Sequence, residues 1–454
     1  MTDIIDKKAF NKQLVRLALP IAVQSLMLAL VAACDALMLG QVEQNEMTAV
    51  SLATQVQFVQ NMFIGGGTGA GAILGAQYWG KRDRDSIEWI FGMMLRFCGI
   101  FSLLFFAACE LMPSALMRIF ASDAELIKTG ADYLRIAGFS YLITGISQCY
   151  LTIMKVTDHV KASAAISTGA VVMNIVFNAV FIFGLLGVPA MNSRGAALAT
   201  TISRVIELAV CIVASAGKDY IRPVMKKLLH GNKALGRDFR KQCLPLMGGT
   251  LCWGIGFTSY TAIMGHVGTD AAAANSVAAV FRDLICCLCN GIGTAAGIMV
   301  GNELGAGNLE KGKAYGIRLR NISFVTGFIS MGLVLALTPV VVNTVKLTDE
   351  ARGYLVGMMM IMAVYMVGRC VNTITINGVL DGGGDTLFDM YSLIVAMWVI
   401  AIPLALLSAF VWHLPVLVVY ACTCVDEVGK IPWVMIRFKK YKWVRNLTEN
   451  HHEK

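Results

Sequence analysis

Apolar residues along this chain gather into long blocks, each about 20 residues or more, separated by short polar and Gly/Pro-marked breaks. A block of that length crosses a hydrocarbon layer of ~30 Å at about 1.5 Å per residue. Twelve spans are predicted, at 15–40, 48–78, 88–111, 131–154, 162–186, 195–216, 243–266, 272–301, 315–338, 354–380, 389–411 and 414–436. The fold class expected is an all-α polytopic membrane protein.

The positions of Lys and Arg orient these spans, because cytoplasmic loops of membrane proteins are enriched in both. The N-terminal segment and every second loop hold most of them: Lys7, Lys8, Lys12 and Arg16; Lys81, Arg82 and Arg84; Lys155 and Lys161; Lys311, Lys313, Arg318 and Arg320. The 217–242 loop and the 437–454 tail are basic as well. Both termini are therefore expected in the cytoplasm, with the chain in the cell membrane. Asp3, Asp6, Lys7 and Lys8 precede a first apolar block of full span length, so no cleavable signal is expected and the first helix itself targets the membrane.

Composition agrees with this reading. Of 454 residues, 57% are hydrophobic and only 15% charged, with a mean hydropathy of +0.66, more apolar surface than a soluble core absorbs. The net charge of +9 fits a cytoplasmic face against anionic lipid, so no nucleic-acid partner is implied. The thirteen cysteines fall almost wholly within spans. Cys286 and Cys289 have CxxC spacing but neither a nearby His nor a second CxxC, so they read as small packing residues. The sequon at 446–448 falls on the expected cytoplasmic side.

Sliding the sequence against itself by 225 residues reveals an internal repeat. Leu19/Leu244, Pro20/Pro245, Gly40/Gly265, Gly66/Gly291, Ala70/Ala295 and Gly80/Gly305 coincide without a gap. Six spans separate equivalent residues, so the two halves enter the membrane in the same sense, as parallel pseudo-repeats with a substrate path between them. The expected organisation is a six-helix lobe at 1–216, a basic cytoplasmic linker at 217–242, a second six-helix lobe at 243–436 and a basic tail at 437–454. Gly-rich "GGGTGAGAILGAQYWG" and "GIGTAAGIMVGNELGAG" let helices pack closely. They lie within spans with no preceding strand, so they are not nucleotide loops. No GxxxxGK[ST] motif occurs anywhere, which points to an ion gradient rather than ATP as the energy source, and no catalytic constellation suggests an enzyme.

One acid, Asp35, stands inside the first apolar block. An ionised carboxylate there costs on the order of 3 kcal/mol, so it persists when paired, hydrated or useful. The useful reading is a site that binds H⁺ or Na⁺; the structural reading is an ion pair with Arg204 or a place near the outer interface. The repeat sharpens the contrast, since Tyr260 occupies the equivalent position in the second half. Asn174 and Asn178, four residues apart, share one helix face and present two amides to one point.

The ordered motifs "LALPIAVQ", "DALMLG", "GAQYWGKRD", "MNIVFNAVFIFG", "GAALATTIS", "GNELGAGNLEKGK" and "NGVLDGGGDT" run along the whole chain and resemble the multidrug and toxic compound extrusion (MATE) transporters. The resemblance implies twelve helices in two lobes around a cavity, with export of cationic or amphipathic compounds in exchange for H⁺ or Na⁺ and no other cofactor. It also implies a cation site on Asp35, with Asn174, Asn178 and Thr200 as polar partners and Na⁺ a possible ligand of Asp35. The chain departs from family patterns at Asn178, where some members carry a second acid, and at Asp381, where an Arg is usual. Tyr260 and Cys370 stand where others carry acids in the seventh and tenth helices, which argues against a cation site in the second lobe.

In the second lobe Trp253, Phe257 and Tyr260 recur at helical spacing, and Arg282, Asp283 and Arg369 are intramembrane charges. An aromatic face suits organic cations, whereas Arg282 and Arg369 in a cavity would oppose them; the bland readings are packing and local ion pairs. "MMMIMAVYM" (358–366) offers polarisable surface toward substrate or lipid. The function expected is a monomeric secondary antiporter for amphipathic or cationic small molecules, partnered by substrate and bilayer. One alternative is a lipid-linked glycan flippase of the same superfamily, whose cavity is usually more basic. The other is a major-facilitator transporter, whose loop signature GxxxDRxGRR is replaced here by "GKRDRDS".

Overall fold

A computed structural model describes residues 6–41 and 44–449. Asp3 and the last five residues of the expected 437–454 tail lie outside the described residues. Twelve long helical stretches follow one another, and no strand occurs among the described residues. They are α1 (Lys7–Gly40), α2 (Gln44–Gly80), α3 (Arg84–Leu111), α4 (Ala124–Val156), α5 (Val160–Phe183), α6 (Asn192–Ser215), α7 (Lys233–Val267), α8 (Thr269–Gly305) and α9 (Leu309–Thr344). Then come α10 (Asp349–Leu380) and α11 (Thr386–Val411), and α12, which runs in three pieces, Val416–Thr423, Val425–Gly429 and Ile431–Lys439. Nine of these stretches are long and apolar enough to cross a membrane among the described residues. The other three, α2, α7 and α12, carry Gly and Gln, a basic first turn, and an acidic break respectively, which matches the twelve predicted spans.

Helix ends follow from local chemistry. Asp83 caps α3 by accepting from the Ser86 N–H, and Asp123 caps α4 by accepting from Glu125 and Leu126. Helix α5 stops at Gly184, whose φ of 71° is the left-handed geometry that glycine adopts at least cost.

The chain divides into two compact units, one of residues 1–22, 76–82 and 248–454, the other of 23–75 and 83–247. The changes of membership at 22/23 and 247/248 occupy equivalent places in the two repeats, each just after a proline inside a helix, Pro20 in α1 and Pro245 in α7. A mid-helix proline removes one i→i−4 bond and weakens the ladder there. The opening turns of α1 and α7 thus pack apart from the rest of the same helix.

Residues 76–82, from the first repeat, sit in the unit of the second because α2 and α8 cross at equivalent residues. A Cβ on Gly80 would run into the Asn302 carbonyl, and one on Gly305 into the Gln77 carbonyl. Only glycine permits that approach. Gln77 and Asn302 are themselves 225 residues apart, so the contact has the symmetry of the repeat. The tail is docked in the same unit. Gln77 donates to the Gly382 carbonyl at 2.9 Å and accepts from the Leu447 N–H at 2.7 Å. Trp443 is fully buried beside Gly316 and Gly383, and Arg437 grips Asp385 with two hydrogen bonds of 2.7 Å.

Candidate functional site

In the unit of 23–75 and 83–247, a cavity of about 480 Å³ is lined by Asp35, Thr54, Gln57, Tyr133, Asn174, Thr200 and Arg204. Its apolar side continues into a buried cluster that includes Leu39, Val50, Tyr133, Tyr141 and Ile182. Helix α1 delivers Asp35, α5 the two amides, and α6 Thr200 and Arg204. Asn178 Nδ2 donates to Asp35 Oδ1 at 2.5 Å and lies 3.3 Å from Asn174 Oδ1, while Asn174 Nδ2 donates to Thr200 Oγ1 at 3.2 Å. All four residues singled out from the sequence therefore lie in one hydrogen-bonded chain. Asn178 Oδ1 is buried without a partner among the described residues.

Arg204 lines the same cavity but is committed elsewhere. Its Nη1 donates to Glu207 Oε2 at 2.7 Å, and Ser147 Oγ donates to Glu207 Oε1 at 2.7 Å. The expected structural alternative, an Asp35–Arg204 ion pair, is thereby replaced: Glu207, fully buried on α6, takes the guanidinium. Sequence reasoning overlooked Glu207, although its spacing three residues after Arg204 signalled a same-face pair.

The unit of 1–22, 76–82 and 248–454 holds a smaller cavity of about 210 Å³. Trp253, Phe257, Tyr260, Arg282, Asp283, Arg369 and Asp426 all line it. Trp253 and Phe257 stack with centroids 5.4 Å apart at 19°. Arg282 covers the Phe257 face at 4.5 Å and pairs with Asp283 at 2.9 Å, which is the local pair expected of those two charges. The Arg369 guanidinium donates to Glu427 Oε1 at 2.9 Å; Glu427 Oε2 accepts from Asn372 at 2.7 Å and lies 3.2 Å from the Lys430 Nζ. Tyr260 Oη donates to Asp426 Oδ2 at 3.2 Å.

Three of these charges, Asp426, Glu427 and Lys430, escaped the sequence reading, although they sit together in "CVDEVGK" within the twelfth predicted span. Helix α12 breaks at Cys424 and again at Lys430, on either side of the two acids, and Pro432 follows the second break. Tyr260 in α7 and Cys370 in α10 stand where an acid was considered, but α12 supplies an acid, Asp426, to Tyr260. The methionine run divides differently from expectation: Met358, Met359, Met362 and Met366 are fully buried packing residues, and Met360 is exposed. No cluster of His, Cys, Asp and Glu arranged to hold a metal occurs among the described residues.

Two repeats in tandem, each unit holding a polar cavity within an apolar helical body, make the architecture of a membrane transporter. The MatE family model matches residues 20–180 and again residues 245–407, two copies that begin 225 residues apart. The chain belongs to the MatE family, a family of transporters rather than enzymes. It is 25% identical over 82% of its length to the uncharacterized transporter YisQ of Bacillus subtilis, of which it covers 82%. It is 22% identical over 95% of its length to a probable multidrug resistance protein NorM of Thermotoga maritima, of which it covers 93%. Among solved structures, a MATE in complex with MaD3S superposes with a TM-score of 0.85 at 17% identity, covering 95% of this chain and 97% of that one. A Pyrococcus furiosus MOP superfamily transporter, described as having reverse polarity of its binding pocket, superposes at 0.83 and 18% identity over 95% of this chain and 97% of its own.

Proposed function

We propose that this transporter is a secondary antiporter of the cytoplasmic membrane that exports amphipathic or cationic small organic molecules in exchange for H⁺ or Na⁺. The observation that carries the reading is Asp35: a carboxylate in an apolar helix, held by Asn178 and facing a cavity, whose nearest candidate counter-ion is already taken by Glu207. An acid that is fixed in place yet has no ion-pair partner among the described residues is suited to receive a cation. Asp35 and the amide and hydroxyl oxygens of Asn174, Asn178 and Thr200 form an oxygen-rich set that suits a hard cation such as Na⁺, and the same carboxylate accepts H⁺.

In this reading the lobes of 1–216 and 243–436, joined by the cytoplasmic 217–242 linker, alternate access around the substrate as a monomer with both termini inside. Coupling requires that the cation bind one state more tightly than the other, since equal affinity shifts nothing. Proteoliposomes loaded with a fluorescent organic cation and given an imposed H⁺ or Na⁺ gradient test this. The wild type responds to one gradient, and Asp35→Asn loses at least ~90% of the gradient-driven flux while remaining monodisperse. Undiminished flux in that variant overturns the proposal.

A further inference from the structure

Among the described residues that line the first cavity, two are charged, Asp35 and Arg204. Opposite charges at membrane depth usually pair with one another. Arg204 is well placed for that: it stands one turn beyond Thr200 on α6, on the face that carries the hydrogen-bonded chain from Thr200 through Asn174 and Asn178 to Asp35. Yet its guanidinium turns to Glu207 at 2.7 Å. Glu207 is only 1% exposed, and Ser147 of α4 donates to its other oxygen at 2.7 Å.

A carboxylate placed so deeply is costly to desolvate, and a buried ion pair is weak evidence for stability, because apolar residues of similar volume often serve as well. What this pair does change is the charge that Asp35 meets. Lys155, a second base near Glu207, is not among the residues lining the cavity. Arg204 is therefore the base positioned to compete for Asp35.

We propose that Glu207 is a positioning residue that withholds Arg204 from Asp35 and so keeps that carboxylate available to the coupling cation. Charge-assisted hydrogen bonds are about twice as strong as neutral ones, so a guanidinium prefers a carboxylate to an amide or a hydroxyl. With Glu207 ionised, Arg204 has a carboxylate three residues along its own helix. With Glu207 neutral, the carboxylate on the same cavity is Asp35, and the guanidinium moves there and takes the place of the transported cation. The proposal rests on the export reading above and adds a control of that site: the charge on one buried acid sets whether Asp35 receives a cation or an arginine.

Dicyclohexylcarbodiimide attacks protonated carboxyls within membranes, so its reaction rate at Asp35 reads how readily that residue takes up a proton. Full-length protein in lipid nanodiscs is treated at pH 6 without Na⁺, monodisperse material is retained, and labelling is localised by mass spectrometry. The wild type is labelled at Asp35. Glu207→Gln is labelled there at least fivefold more slowly, and Arg204→Met/Glu207→Gln returns to within twofold of the wild type. Loss of a merely structural pair would loosen the helices and speed labelling, the opposite direction. An unchanged or faster rate in Glu207→Gln overturns the proposal, as does slow labelling that persists in the double variant. A wild type that resists the reagent overturns it too, because Asp35 is then already held. Labelling is read without gradient or substrate, so failure here leaves the Asp35→Asn flux result standing, and undiminished flux in Asp35→Asn leaves the labelling result standing.

Discussion

Replacing Arg369 by Met probes what anchors the broken α12. In the native protein Glu427 is 4% exposed and receives Arg369 at 2.9 Å, Asn372 at 2.7 Å and Lys430 at 3.2 Å. Removing one member of a buried ion pair costs about 3–5 kcal/mol, because the survivor is left desolvated and uncompensated. Lys430 still faces Glu427 in Arg369→Met, which places that variant near ~3 kcal/mol, whereas Glu427→Gln strands two cations and falls near ~5 kcal/mol. The double variant Arg369→Met/Glu427→Gln should cost less than the sum of the singles by about 1–3 kcal/mol, the coupling of two residues in direct contact. Unfolding entropy scales with chain length, so for a chain of this size 1 kcal/mol corresponds to about 1 °C in the unfolding midpoint. Thermal scans in nanodiscs followed by tryptophan fluorescence should therefore show losses of about 3 °C and 5 °C for the singles and sub-additive loss for the double. Midpoints within about 1 °C of the wild type, or strictly additive losses, would refute the ion pair as the anchor of α12.

Other sites give further expectations. Gly305→Leu forces a side chain into the Gln77 carbonyl; overpacking of this kind costs about 1–3 kcal/mol or more, read as a lower midpoint and reduced monodisperse yield. Trp443→Ala empties a fully buried site and should cost about 3–5 kcal/mol, with limited proteolysis then cutting the tail beyond Lys439. Lys227, in the short Met225–Leu229 helix of the linker, bridges Asp85 and Glu88. Burial favours its neutral amine, but the two carboxylates outweigh that and hold its ammonium above the ordinary value of 10.5. The linker contact is therefore intact below that pH and is lost as pH rises through the raised value. Cleavage near 225–229 should accelerate only at strongly alkaline pH, and in Lys227→Met at neutral pH; equal cleavage of variant and wild type at pH 8 would count against it.

Helix positions, the tandem repeat and the chain of polar residues around Asp35 were readable because each leaves a local or periodic trace. Block length marks a span, shared Pro and Gly mark the repeat, and a four-residue spacing aligns Asn174 with Asn178. The second cavity was only half readable. Trp253, Phe257, Tyr260 and Arg282 announce themselves by spacing or charge, yet the partners of Tyr260 and Arg369 arrive from α12, 166 and 58 residues away in sequence. No periodicity connects such positions, although two adjacent acids inside a predicted span were themselves a signal. The switch of packing partner after Pro20 and Pro245 was likewise hidden, since a proline marks where a helix is weakened and not which neighbours its two parts choose.

The crossing of α2 and α8 maps onto itself: Gly80 meets the residue equivalent to Gln77, and Gly305 meets Gln77. A contact of that kind is isologous, the form an interface takes between two identical subunits. Each six-helix half, whose second helix ends in this glycine, thus presents the same surface to the other at this crossing. The symmetry of this crossing does not extend to the polar sites, where Asp35 in one half is matched by Tyr260 in the other.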